Sequence, residues 1–307
     1  MEIFRAKTNI DFIGKKNYAF AFSGILILIT LISLIMHNGP RYGVDFSGGV
    51  LIQVKFSQPV TVSQVKQVLN PVNLPNCMVQ EFKEKGQNEF LIQSSRENID
   101  IENIQSSVSL ALSRGFGEKG FEIRRVETVG PKVGKDLRKK GLWAVIISWI
   151  MILIYVAFRF KHFSFGLGGI VALAHDVLVT VGAFSLTNKE IDLTIVAALL
   201  TIIGFSINDT IVIFDRVREN RRKTPSTPLS ELINRSINET LSRTIITTGT
   251  VLLGVLALFF FGGGVIHDFA FAMLVGCVSG TYSTLYVASP IVIMWEEKVS
   301  GKKKKRR

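Results

Sequence analysis

Six stretches of the chain are apolar for long enough to cross a bilayer, at about 18–36, 141–158, 166–186, 193–214, 245–262 and 267–293. A crossing takes roughly twenty residues, so each run predicts one transmembrane helix. The run at 141–158 is short and the one at 267–293 long, which predicts tilt and shifted boundaries. Between the first two runs the period changes. Gly49–Phe56 alternates as a strand does, and Thr61–Leu69 places Val62, Val65, Val68 and Leu69 at helical spacing. Cys77–Lys83 and Glu89–Ser94 read as two strands around a turn at Lys85–Asn88. Ile101–Leu112 returns to the helical period through Ile101, Ile104, Val108 and Leu112; Gly115 and Gly117 stop it, and Phe121–Val129 is a last strand.

The order βαββαβ is the split ferredoxin-like arrangement. The predicted fold is a polytopic α-helical membrane protein: six transmembrane helices plus a small α+β ferredoxin-like (βαββαβ) domain between helices 1 and 2. The divisions are an N-terminus at 1–17, helix 1 at 18–36, the ferredoxin-like domain with flanking hinges at 37–140, helices 2–6 at 141–293 with a polar loop at 215–243, and a basic tail at 294–307. The first run is too long for a signal-peptide core, and MHNGPRYG lacks a small-x-small cleavage pattern, so it reads as an uncleaved anchor.

Basic residues orient the helices. Arg5, Lys7, Lys15 and Lys16 precede helix 1, Arg159 and Lys161 follow helix 2, Arg216–Lys223 follow helix 4, and KKKKRR ends the chain. All four clusters fall on one face, which predicts both termini, the loop and the tail in the cytoplasm and the ferredoxin-like domain outside, in the periplasm. A composition 48% hydrophobic with mean hydropathy +0.35 fits this mixture of membrane helices and one polar domain. The net charge of +12 needs no nucleic acid as partner, because the tail alone supplies six charges and suits anionic lipids. Cys77 and Cys277 fall in different compartments by this topology and are not expected to pair.

Polar residues inside the apolar runs are the candidate chemistry. On helix 4, Ser206, Asp209 and Thr210 share a face, with Asn208 beside it. A charge near the bilayer centre costs roughly 2.5–3.5 kcal/mol, so Asp209 is expected to be paired, hydrated or neutral. Helix 5 opens with Arg243, and Thr247, Thr250 and Gly254 continue its stripe. Helix 4 runs inward and helix 5 outward, which can bring Arg243 near Asp209. Two readings follow: a structural salt bridge, or a carboxylate that takes and releases a proton as its surroundings alternate. Helix 3 carries His175 and Asp176 at its midpoint and Thr180 a turn later. That pair is a possible secondary relay or a hydrogen-bonded interior contact.

Other features read as structural. Gly276 and Gly280 permit close helix approach, and Ser279 and Ser283 offer interhelical hydrogen bonds. Thr227–Pro228 signals a helix start, and Leu229, Leu232, Ile233, Ile237 and Leu241 make an amphipathic face expected along the cytoplasmic membrane surface. His267–Asp268 marks the start of helix 6. Two glycine-rich junctions bracket the external domain: YGVDFSGG, with Gly43, Asp45, Gly48 and Gly49, and GPKVGKDL, with Gly130, Pro131 and Gly134. They read either as turn chemistry or as hinges. No catalytic triad, nucleotide loop or metal-ligand spacing is present in the sequence, so no catalytic, cofactor or metal site is expected.

YGVDFSGG, GPKVGKDL, ALAHDVLVTVG, GFSINDTIVIFDRVREN and NETLSRTIITTGT together resemble the SecD/SecF protein-export family of the resistance–nodulation–division (RND) superfamily, over nearly the whole chain. The resemblance implies an RND-like half that pairs with SecD and assists the SecYEG channel from the outer face of the bacterial inner membrane. It implies an unfolded exported polypeptide as substrate, YajC and YidC as further partners, and the proton or sodium motive force as the drive. It assigns Asp209 and Arg243 to ion coupling; the only cofactor expected is the coupling ion, H+ or Na+. KKKKRR lies outside the shared motifs. A non-transducing scaffold and a small-molecule efflux subunit are the competing functions, and neither is enzymatic.

Overall fold

The computed structural model describes residues 8–72, 74, 77–82, 88–94, 101–160 and 162–304. The expected turn at Lys85–Asn88, all but Asn88, lies outside the described residues, as do Arg5, Lys7, Lys161 and the tail's last three positions.

Helix α1 spans Lys16–Met36, and a one-turn helix α2, Val44–Ser47, lies inside YGVDFSGG. Then follow β1 (Gly49–Phe56), α3 (Val62–Leu69), β2 (Met78–Phe82), β3 (Glu89–Ser94), α4 (Ile101–Phe116) and β4 (Phe121–Val129). The strands form one antiparallel sheet in the order β2-β3-β1-β4. Sequence-distant β1 and β4 pair directly, which is the βαββαβ topology the alternation predicts. The inward residues Val50, Ile52, Val54, Phe90 and Ile92 meet Val65, Leu69, Val108 and Leu112 of the two helices in a closed core. Helix α3 starts at a capping box, the Thr61 hydroxyl accepting from the Gln64 amide while the Gln64 side chain accepts from the Thr61 amide.

The remaining helices are α5 (Pro131–Phe160), α6 (Phe163–Leu186), α7 (Leu193–Lys223), α8 (Leu229–Phe261), α9 (Gly264–Ser283) and α10 (Ser289–Lys304). One widened turn, Thr284–Ala288, joins the last two into a continuous rod. With α1, these give six spans long and apolar enough to cross a membrane among the described residues. Two apolar cores fill the bundle, one at each end.

Three expectations change. The polar loop expected at 215–243 is helical except for residues 224–228. Helices α7 and α8 hold 31 and 33 residues, near 46–50 Å at about 1.5 Å per residue, and so overrun an apolar core of about 30 Å. Their overhanging turns are staple-linked: Glu239 receives Arg216, Asn220 and Arg235. The amphipathic stretch does not lie along a membrane surface, because Leu232, Ile233 and Ile237 are buried within the bundle core. Its N-cap is Pro228, with no side-chain cap bond, rather than Thr227. GPKVGKDL is not a turn: Pro131 opens α5 at the first helical position, where its missing N–H costs nothing.

A strap not visible in the sequence completes that end of the bundle. Asn234 Oδ1 accepts the Phe12 amide at 2.8 Å, and Asn238 Oδ1 accepts the Ile10 amide at 2.8 Å. Both asparagine amide groups return a bond to the Ile10 carbonyl. Two residues one turn apart on α8 thus hold an extended backbone, and Phe12 and Ile13 enter the core.

Candidate functional site in the membrane helices

Asp209 sits in the middle third of α7 and is buried, 3% exposed. The Thr247 side chain of α8 lies beside its carboxylate, and Arg243, one turn earlier on that helix, acts on its charge. Asp209 and Arg243 do not form an ion pair within 4 Å; Asp209 Oδ2 is buried with no hydrogen-bond partner. The Thr247 hydroxyl is also within reach of the Arg243 carbonyl, at 3.0 Å. The arrangement is a carboxylate held near, but not clamped by, a guanidinium. A direct clamp would fix it as an anion, whereas a spaced partner leaves both protonation states accessible.

Ser206 and Thr210 share the α7 face with Asp209 but turn toward other helices. Thr210 Oγ1 lies 2.9 Å from the Thr284 hydroxyl and donates back to the Ser206 carbonyl. Thr284 opens the widened turn between α9 and α10, where Ser289 Oγ donates to the Thr284 carbonyl five residues back. Such a turn inserts one residue into the helical ladder and re-aims a side chain. Here it brings Thr284 onto α7, and sequence reading passed over it because hydropathy runs unbroken through TLYVA.

Ser206 reaches away from Asp209. Its hydroxyl donates to Asp176 Oδ2 on α6 at 2.7 Å. Ser283 donates to the same oxygen and Ser279 to Oδ1, each at 2.7 Å. Helix α9 approaches closely enough for this because of two glycines. A Cβ at Gly276 would fall 2.2 Å from Ile202 Cδ1, and one at Gly280 would fall 3.0 Å from Ser206 Cβ. His175 Nδ1 stands 3.2 Å from Asp176 Oδ1. The polar edges of helices 3, 4 and 6 therefore converge on Asp176, and those of helices 4 and 5 on Asp209.

Asn208, Thr201 and Gly204 form an exposed stripe on α7, and Arg243, Thr250 and Gly254 an exposed stripe on α8. Polar and glycine positions bare on a membrane-facing surface are costly in lipid and suited to close helix contact.

The junction residues meet at the sheet-domain end. Gly48, at φ +75°, would place a Cβ 2.8 Å from Pro131 Cα, and Gly134 would place one 2.9 Å from the Gly48 nitrogen. The two glycine motifs thus pack on each other. They also dock on the turn between α6 and α7. Tyr42 bridges Ile191 in parallel, the Leu193 amide donates to Asp45 Oδ2, and Arg41 pairs with Glu190 at 3.4 Å. Arg138 lies over the Tyr42 ring. Burial pushes Glu190 above its ordinary 4.5, against the pull of Arg41, and pushes Asp192 above 3.8, against its cap bond to the Ile195 amide. Asp268 pairs with Lys189 of the same turn; α9 begins before it, at Gly264. Gly43 belongs here as well, its amide donating to the Ile191 carbonyl. Gly49 opens β1, and Gly130 meets nothing within 4 Å. Cys77 and Cys277 are both free.

Residues 108–298 match the family described as protein export membrane protein SecD/SecF, C-terminal, and residues 33–60 match the SecD/SecF GG motif. A protein translocase subunit SecF of Thermodesulfovibrio yellowstonii is 44% identical over 292 residues, covering 94% of this chain and 95% of that one. That of Magnetococcus marinus is 45% identical over 299 residues, covering 96% and 95%. Among solved structures, SecDF from Thermus thermophilus, a translocon-associated membrane protein, superposes with a TM-score of 0.82 at 36% identity. The match covers 96% of this chain and 40% of that one, so this chain spans about two fifths of SecDF's length.

Proposed function

The chain belongs to the SecD/SecF family of protein export membrane proteins, as a multi-pass membrane protein among translocase subunits, and from that premise we propose that it is an ion-gradient-coupled export subunit rather than an enzyme. In this reading it lies in the bacterial inner membrane with both termini cytoplasmic and the sheet domain periplasmic. It pairs with SecD and uses the proton or sodium motive force to promote late, periplasmic-side steps of export through SecYEG. YajC and YidC are further partners, an unfolded exported polypeptide is the substrate, and anionic lipids meet the basic tail. The coupling ion is the only cofactor.

The observation that carries the reading is Asp209: a buried carboxylate with one unpartnered oxygen, near Arg243 but not clamped to it. Thr247 on α8, beside the carboxylate, is the side chain whose contact a change of protonation would make or break. One charge crossing the membrane field supplies about 2.3 kcal/mol per 100 mV, enough to bias a helix rearrangement. The bare stripe of Thr201, Asn208, Arg243 and Thr250 supports a second membrane subunit as the cover, and this chain spans only about two fifths of SecDF's length. Helix α5 supports transmission, because it runs unbroken from the end of β4 into the membrane.

The test is Asp209→Asn in vesicles containing the chain, SecD and the export channel. Insertion and assembly should persist while stimulation of export by an imposed gradient is lost. Stimulation equal to wild type would overturn the proposal.

A further inference from the structure

Asp176 and His175 form a site that the Asp209 reading does not use. Asp176 is 1% exposed and His175 3%, both at the middle of α6. A carboxylate offers about four lone-pair sites. Three are taken by the hydroxyls of Ser206, Ser279 and Ser283, from two other helices. The fourth faces His175 Nδ1. With Asp176 ionised, the hydrogen bond at that fourth site has Nδ1 as its donor, which leaves Nε2 as the basic nitrogen; Ser279 Oγ also lies 3.5 Å from Nδ1. Nε2 is buried and has no partner.

Helices α7, α9 and α1 supply the groups seen around the pair. Helix α7 supplies Ser206; helix α9 supplies Ser279, Ser283 and the Tyr282 ring, 5.9 Å from the imidazole between centroids. Helix α1 supplies Phe22 and Leu26, beside a cavity of about 490 Å³ that His175 also lines. Among the described residues, the ion pairs of the chain bring no lysine or arginine to Asp176, and His175 is its sole possible countercharge. A lone carboxylate in hydrocarbon is costly; a carboxylate beside an imidazolium is neutral overall.

We infer that His175 and Asp176, with Ser206, Ser279 and Ser283, form a second proton-binding centre, separate from Asp209, in which the proton is taken on His175 Nε2. The step is simple: a hydronium ion gives its proton to the Nε2 lone pair and leaves as water, and the imidazolium then balances the carboxylate. This inference does not depend on Asp209 being the coupling residue.

The test is nitrogen-15 NMR of the full chain, histidine-labelled and assembled with its SecD partner in lipid vesicles. The sequence has four histidines, and His175→Gln assigns the signal. At the higher of two pH values the ring should be protonated on Nδ1 alone, and at the lower on both nitrogens. Asp176→Asn should abolish the Nδ1-only form, and Ser279→Ala should shift the signal without unfolding the bundle. Asp209→Asn should leave it unchanged. An Nε2-protonated ring at the higher pH, no second protonation at the lower, or loss of the transition in Asp209→Asn would each overturn the inference. The wild-type spectrum decides even if Asp176→Asn fails to fold.

Discussion

The backbone nitrogen of Gly48 and the α-carbon of Gly134 touch so closely that a methyl group on Gly134 would stand 2.9 Å from that nitrogen. Two sequence-distant glycine motifs are therefore one joint, formed where the chain enters and leaves the sheet domain.

Gly134→Ala should open the joint. Overpacking against a backbone that cannot yield costs about 1–3 kcal/mol. The expected result is a lower melting temperature and faster proteolysis between 37 and 140. Gly130→Ala is the control, since nothing lies within 4 Å of its added methyl. Equal melting of both variants and wild type would refute the contact.

The docking of this joint on the α6–α7 turn should weaken as pH rises. Glu190 and Asp192 have folded-state values raised by burial. The native state therefore binds protons that the unfolded state has released. Their stabilising contribution is complete below the ordinary 4.5 and 3.8 and is lost as pH climbs through the raised values. Amide exchange at Gly43 and Ile191, corrected for intrinsic rate, should show less protection at neutral than at acid pH. Glu190→Gln should flatten the trend, and a trend of opposite sign would exclude this cause.

Thr247→Val removes the hydroxyl beside Asp209 while keeping the side-chain volume. A hydrogen bond to a charged group is worth about 1.5–3 kcal/mol. Gradient-driven export should fall by roughly tenfold or more if that bond is made only in one state of the cycle. Thermal stability should change little, and unchanged export would remove Thr247 from the mechanism.

Asn238→Ala should loosen the N-terminal strap. It deletes the bonds to the Ile10 amide and carbonyl. Each is worth about 0.5–1.5 kcal/mol, so exchange at Ile10 should quicken by roughly tenfold. Unaltered exchange would mean that Phe12 and Ile13 alone hold the segment.

Hydropathy and period are local properties, so the six spans and the βαββαβ order could be read from the chain itself. Asp209 was legible for the same reason: a carboxylate among isoleucines is conspicuous without any neighbour. The misreading of 215–243 as a loop was mechanical, since an apolar run ends where charge begins whereas α7 and α8 continue as helices beyond it. What lies near Asp176 could not be read. Ser279 and Ser283 are about a hundred residues away, and serine in a helix is ordinary until its hydroxyl has a destination. The widened turn at Thr284 left no mark on hydropathy. The asparagine strap and the glycine joint depend on which backbones meet, and that is set by the packing of whole helices. The sequence by itself determined the elements and the costly charge; the tertiary structure decided which polar groups answer one another, because hydrogen-bond geometry exists only between surfaces already brought within 3 Å or so.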